Sequence, residues 1–186
     1  MPSIIGHTII AATAAALPKR ASRNQFWVLA ILCVISSCIP DLDVISFKLG
    51  IPYGHVLGHR GFSHSILFGI IWGFLMTMLY KKLVGVSVSI WLFIIFSLVT
   101  ISHGVLDAMT TGGKGIGFFI PFIDDRYFMP WRFIKVSPLS IDRFFSDWGI
   151  KVLGSELLYI GIPCAIVLTG KSLIQKVRNI RSTSPV

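Results

Sequence analysis

Acidic residues are scarce in this chain: eight Asp and Glu among 186 residues, against 17 Lys and Arg. Charged side chains of either sign make up only 13%, hydrophobic ones 54%, and the mean hydropathy is +0.78. That balance excludes an ordinary soluble globular protein. The length excludes a membrane bundle carrying a separate folded catalytic module, so any site must be built from the bundle itself. Cysteine is also scarce. Cys33, Cys38 and Cys164 are odd in number and sit inside apolar runs without paired spacing, which excludes a disulfide framework and marks them as small packing residues. There is no internal repeat and no low-complexity stretch.

What remains is an all-α, polytopic membrane helical bundle, a single domain over residues 1–186. Apolar runs at 25–39, 65–80, 86–108 and 155–169 end in charge, Pro or Gly and read as membrane helices. Residues 4–17 form a fifth run that is short of the roughly 20 residues needed to cross the bilayer core. Its basic residues follow the run rather than precede it, which excludes a secretory signal. Four to five helices result, with residues 112–150 as an extramembrane region. If the helices alternate, Lys19, Arg20, Arg23, Lys81, Lys82, Lys171, Lys176, Arg178 and Arg181 share one side, and every carboxylate and histidine falls on the other. The positive-inside rule makes the basic side cytoplasmic. The expected location is the inner cell membrane, with the polar residues facing the periplasm or exterior.

Those polar residues are unusual. His7, His55, His59, His64 and His103 lie near the ends of apolar segments, with Asp41, Asp43 and Asp107 beside three of them. His103 and Asp107 are four apart at a helix end, which puts imidazole and carboxylate on one face, suited to a divalent ion such as zinc. Asp41 and Asp43 follow Pro40, where an extended or turning chain would point them apart, one toward a metal and one toward a histidine. His59 and His64 flank Arg60 and Gly61 at a spacing that needs a loop to converge them. A histidine at a helix start with an arginine beside it suits an anionic, phosphate-bearing substrate. His7 stands alone on an apolar helix, at the depth of the other clusters. His55 reads as interfacial rather than ligating. Residues 118–133 interleave aromatic side chains with Arg126 and Arg132, as in an interfacial belt.

In order, the motifs are Gly-His, Pro-Asp-x-Asp, Gly-His-Arg-Gly-Phe-Ser-His-Ser, Ser-His-x-x-x-Asp, Thr-x-Gly and Trp-Arg-Phe, spanning about residues 6–133. This series resembles the YdjM-type inner-membrane family of metal-dependent hydrolases. It is distantly similar to the zinc-dependent phospholipase C and single-strand nuclease superfamily, whose histidine, aspartate, histidine and His-x-x-x-Asp ligands hold two zinc ions. The resemblance implies metal ligation by His7, Asp41 or Asp43, His64 or His59, His103 and Asp107. No histidine follows His103, so a third ion has no counterpart.

The expectation is a membrane-bound hydrolase of phosphoester or lipid-type substrates holding one or two zinc ions, with manganese as the alternative. In it, His59 and Asp43 join the catalytic set, Asp43 orients or deprotonates water, and Arg60 neutralises phosphoryl charge. Its rivals are an ion or proton transporter using the same residues, and a non-catalytic bundle stapled by metal. Nucleic acid is disfavoured as a partner, because topology accounts for the basic excess. The oligomeric state cannot be read from the sequence.

Overall fold

A computed structural model describes residues 1–18, 22–87, 89–138 and 141–183. Lys19 and Arg20, two of the charges assigned to the basic side, lie outside the described residues. Among the described residues the α-helices are α1 (Ile4–Ala16), α2 (Arg23–Cys38), α3 (Ile45–Lys48), α4 (Ile66–Val84), α5 (Ile90–Ala108), α6 (Ile141–Phe144), α7 (Asp147–Glu156) and α8 (Ile162–Thr183). Among the described residues, β-pairing is confined to two isolated bridges, Thr110 with Ile134 and Ile116 with Tyr127.

Four helical stretches are long and apolar enough to cross a membrane: Arg23–Lys48, Ile66–Val84, Ile90–Ala108 and Asp147–Ile180. The first runs through a 3₁₀ segment, Ile39–Val44, into α3. The last joins α7 to α8 through a π-helical turn, Leu157–Gly161. It is far longer than the apolar run at 155–169, because Trp148, Gly149 and Lys151 begin it and a basic amphipathic stretch ends it. Many large apolar side chains point outward, among them Ile31, Phe74, Leu98 and Ile166. Such a surface requires a lipid environment.

The core is correspondingly small. Ala11 and Ala15 of α1, Leu29, Leu32 and Cys33 of α2, Met76 and Tyr80 of α4, and Phe96 and Val99 of α5 bury one another. Cys33 is a packing residue here, and all three cysteines are free. Helices α4 and α5 approach closely: a Cβ added at Gly73 would lie 2.1 Å from Ser97 Oγ and 2.7 Å from its backbone nitrogen. Small residues at contacts are how helices associate in lipid, where no hydrophobic force drives them together. On the other side of α1, Ile9 and Ile10 pack with Ile134, Ile160 and Cys164, docking the last helix.

Glu156 fixes that docking. It is 1% exposed and accepts hydrogen bonds from the backbone N–H (2.5 Å) and hydroxyl (2.6 Å) of Ser3, the N-cap of α1. A carboxylate at a helix start meets unpaired N–H groups and the positive end of the helix dipole. The contact sets where α1 begins, and hence where His7, one turn later, is placed.

Candidate metal centre

Four donors converge at the end of the bundle opposite the basic loops. One ligand atom each from Asp41, His64, His103 and Asp107 can be chosen such that all lie within 4.8 Å of one another. His103 and Asp107 share a face of α5, and both are fully buried. His64 ends a 3₁₀ turn, Phe62–His64, just before Ser65 caps α4 by accepting the Phe68 N–H (3.0 Å). Asp41 sits in the 3₁₀ segment after Pro40.

That segment separates the two aspartates. Chain beyond Pro40 is 3₁₀-helical, not extended, and at three residues per turn positions two apart point well away from each other. Asp41 turns toward the histidine pair, its Oδ1 lying 3.2 Å from His103 Nε2 and 3.8 Å from His64 Nε2. Asp43 turns away and supports the loop. It meets His59 Nδ1 at 2.6 Å and accepts from the Arg60 backbone N–H at 2.9 Å and the Ser63 hydroxyl at 2.6 Å.

Tautomers follow from the partners. His103 Nδ1 lies 2.6 Å from the Ser37 carbonyl, which can only accept, so Nδ1 carries the proton and Nε2 presents a lone pair. His64 Nδ1 lies 3.1 Å from Asp43 Oδ2, the carboxylate–histidine pairing that aims Nε2 at a metal. The two Nε2 atoms then face each other at 3.2 Å. Two lone pairs at that distance repel unless a cation or a proton lies between them. Burial alone would lower the proton affinity of His64, but the neighbouring carboxylates of Asp107 and Asp43 outweigh it and raise its pKa to about 9.

Donor spacing fits a metal. With zinc–ligand distances of 2.0–2.2 Å, a tetrahedron has edges of roughly 3.3–3.6 Å. Four of the six donor pairs, His64–His103, His103–Asp41, His64–Asp107 and His64–Asp41, measure 3.2, 3.2, 3.6 and 3.8 Å, and the whole set lies within 4.8 Å. Asp41 Oδ1 and both Asp107 carboxylate oxygens are buried without a hydrogen-bond partner. Such atoms are costly unless something compensates them; Arg60 Nε, 3.2 Å from Asp107 Oδ2, does so in part, and a cation among the four donors would do so for the rest.

The surroundings hold this set in place. Arg60 is 1% exposed and has a left-handed φ of 64°. Its Nε lies 3.2 Å from Asp107 Oδ2, and its terminal nitrogens donate to the Gly112 carbonyl (2.9 Å) and Thr110 Oγ1 (3.5 Å). The expected phosphate clamp is thus occupied in bracing Asp107. Gly113 makes room for it, since a Cβ there would stand 2.1 Å from Arg60 Nη1. His7 stacks on His103 and brings its Nε2 to 3.6 Å from Asp107 Oδ1. His59 stands outside the group of four, against Phe47 and Tyr53, and His55 is exposed.

Several supporting residues carry no sequence signal. The Ser37 carbonyl and Glu156 act over separations of 66 and 153 residues. Arg126, which sequence places in an aromatic belt, ties down the histidine loop by donating to the carbonyls of Tyr53 (3.0 Å), His55 (3.2 Å) and His59 (2.9 Å).

The family model described as YdjM inner membrane protein matches residues 1–178. The chain belongs to this family. It is also 40% identical over 136 residues to the Inner membrane protein YbcI of Escherichia coli (strain K12), covering 73% of this chain and 78% of that protein. No solved structure matches the chain. Membership of the YdjM family and four apolar helices make it an inner-membrane protein with a group of His and Asp residues able to hold a metal ion.

Proposed function

We propose that the protein is a metal-dependent hydrolase of the membrane surface, acting on phosphoester or lipid-type substrates through Asp41, His64, His103 and Asp107. The observation that carries this reading is the convergence of these donors, with orphaned carboxylate oxygens, where only Asp41 retains measurable side-chain exposure, 14%. A substrate would approach from the Asp41 side. A divalent ion there, zinc before manganese, would supply a Lewis acid and activate water.

The protein's own contribution is orientation and proton handling. Asp43 fixes the His59 ring through Nδ1, and His59 Nε2 makes no hydrogen bond among the described residues. That ring is the group able to take a proton from water or return one to a leaving oxygen. Arg60 braces Asp107 rather than meeting substrate. The positive-inside rule favours an outward-facing centre: Arg23, Lys81, Lys82, Lys171, Lys176 and Arg178 all belong to the opposite end. An ion path is less well supported, because no ionisable side chain continues from His103 along α5 toward that end.

A second reading has its own observation. Four protein donors can complete a tetrahedron, as in structural zinc sites, whereas catalytic sites keep one position open. Metal content of the detergent-purified protein, measured by mass spectrometry alongside hydrolysis of a chromogenic phosphodiester, separates the two. The hydrolase reading expects one or two ions per chain, turnover, and loss of both in His103→Ala/Asp107→Ala. Bound metal with no turnover on phosphodiester or phospholipid substrates, and a collapse of thermal stability on chelation, would make the ion a staple.

A further inference from the structure

Helix α1 is too short for the bilayer, and the deficit falls at one end. Its 13 residues rise about 20 Å, against a hydrocarbon core of roughly 30 Å. Ser3 and Glu156 pin its start near the metal centre, so the missing length, about 10 Å, opens at the basic end. A cavity of about 830 Å³ lies there, bordered by Ala15 and Leu17 at the end of α1, Phe26 of α2, Tyr80 of α4, and Leu92 and Ile95 of α5. Ligand pockets commonly span roughly 300–1,000 Å³. Apart from Gln25, Ser87 and Ser89, its described lining is predominantly apolar.

A second cavity of about 380 Å³, lined by Lys81, Gly85, Val86 and Ser87, shares Val86 and Ser87 with the first. An apolar chamber thus adjoins a small polar one lined by Lys81 and Ser87. No carboxylate occurs in residues 1–40 or 44–106, which supply all of α1, α2 and α4 and nearly all of α5, so the field at this end is uniformly positive. Lysine binds phosphate as a point charge. An empty apolar chamber in a bilayer forfeits dispersion contacts that a lipid chain would restore.

We propose that these adjoining cavities bind one anionic phospholipid, with an acyl chain in the larger chamber and the phosphate group at Lys81 and Ser87. The site is independent of the metal centre, which lies at the other end of the same helices.

Native mass spectrometry of the full-length protein in mild detergent, titrated with phosphatidylglycerol or phosphatidylcholine, tests this. The expected result is one retained phosphatidylglycerol per chain, preferred at least tenfold over phosphatidylcholine. Lys81→Gln should cut that preference at least fivefold, and Leu92→Trp, which fills the larger chamber, should abolish retention of both lipids. Circular dichroism and gel filtration establish that the variants are folded. Equal retention of the two lipids by the wild type, or undiminished phosphatidylglycerol binding by folded Leu92→Trp, would overturn the proposal. Should Leu92→Trp fail to fold, an unchanged preference in Lys81→Gln would do so.

Discussion

His7 lies flat against His103, with ring centroids 3.9 Å apart and planes 13° from parallel. Both His7 nitrogens lack a hydrogen-bond partner, so the ring serves either as a wall for its neighbour or as a further ligand through Asp107. Phenylalanine keeps the wall and removes the nitrogens. We expect His7→Phe to retain one metal ion with affinity within about tenfold of wild type, and His7→Ala to lose considerably more, because His103 would be free to turn. Complete loss of metal from His7→Phe would make His7 an essential ligand.

Asp41 and Asp43 differ by two positions and by role, and the difference is measurable. Asp43→Asn weakens the support behind His59 and His64, which should lower metal affinity about 10- to 100-fold, the usual effect of removing a partner behind the ligands. His103→Ala removes a ligand outright and should lower it further. Competition with a chromogenic chelator ranks the variants, and equal losses would contradict the assignment.

Metal binding should also depend on pH through His64, whose pKa is raised from the ordinary 6.5 to about 9 in the metal-free protein. An ion at Nε2 must displace that proton, so apparent affinity should fall about tenfold per unit as pH drops below about 9. The sign for the metal-free fold is opposite. A raised pKa contributes stability that is fully present below about 6.5 and lost as pH climbs through about 9. Zinc titrations between pH 6 and 9.5 check the first statement, and melting of chelator-treated protein over the same range checks the second.

Arg60 brings a permanent positive charge to 3.2 Å from Asp107. Removing one member of a buried ion pair costs about 3–5 kcal/mol, because the other charge is left uncompensated. Arg60→Ala should therefore destabilise the metal-free protein by about that much, with part of the loss recovered when zinc is added. Gly113→Ala should reproduce a milder form of the defect, since its Cβ would press on the guanidinium. A melting temperature unchanged in Arg60→Ala would refute the bracing role.

Much of this arrangement is legible in the order of residues alone. The i, i+4 pair His103 and Asp107 declares itself by helical spacing, and the number of spans follows from apolar runs and from basic residues gathered at one end. Choosing between Asp41 and Asp43 is beyond the sequence, because the choice depends on whether chain after Pro40 extends or winds into a 3₁₀ helix. The start of the last helix escapes apolar patterning because Asp147, Gly149 and Lys151 are polar or flexible and give no apolar signal. Charge alone assigns Arg60 to substrate. Its partners, Thr110 and Gly112, are about fifty residues away, and local pattern carries no information about such contacts.

The bond between Ser3 and Glu156 joins nearly the first residue of the bundle to the last helix, and this has a bearing on biosynthesis. All four donors lie between Asp41 and Asp107, so even the last of them is synthesised 49 residues before Glu156. Until that residue arrives, α1 has no carboxylate at its start to fix its height against α5. A nascent chain could therefore gather its ligands, and even an ion, while His7 still slides past His103. Translation of the final helix would then seat the ring, making chain completion itself the event that closes the centre.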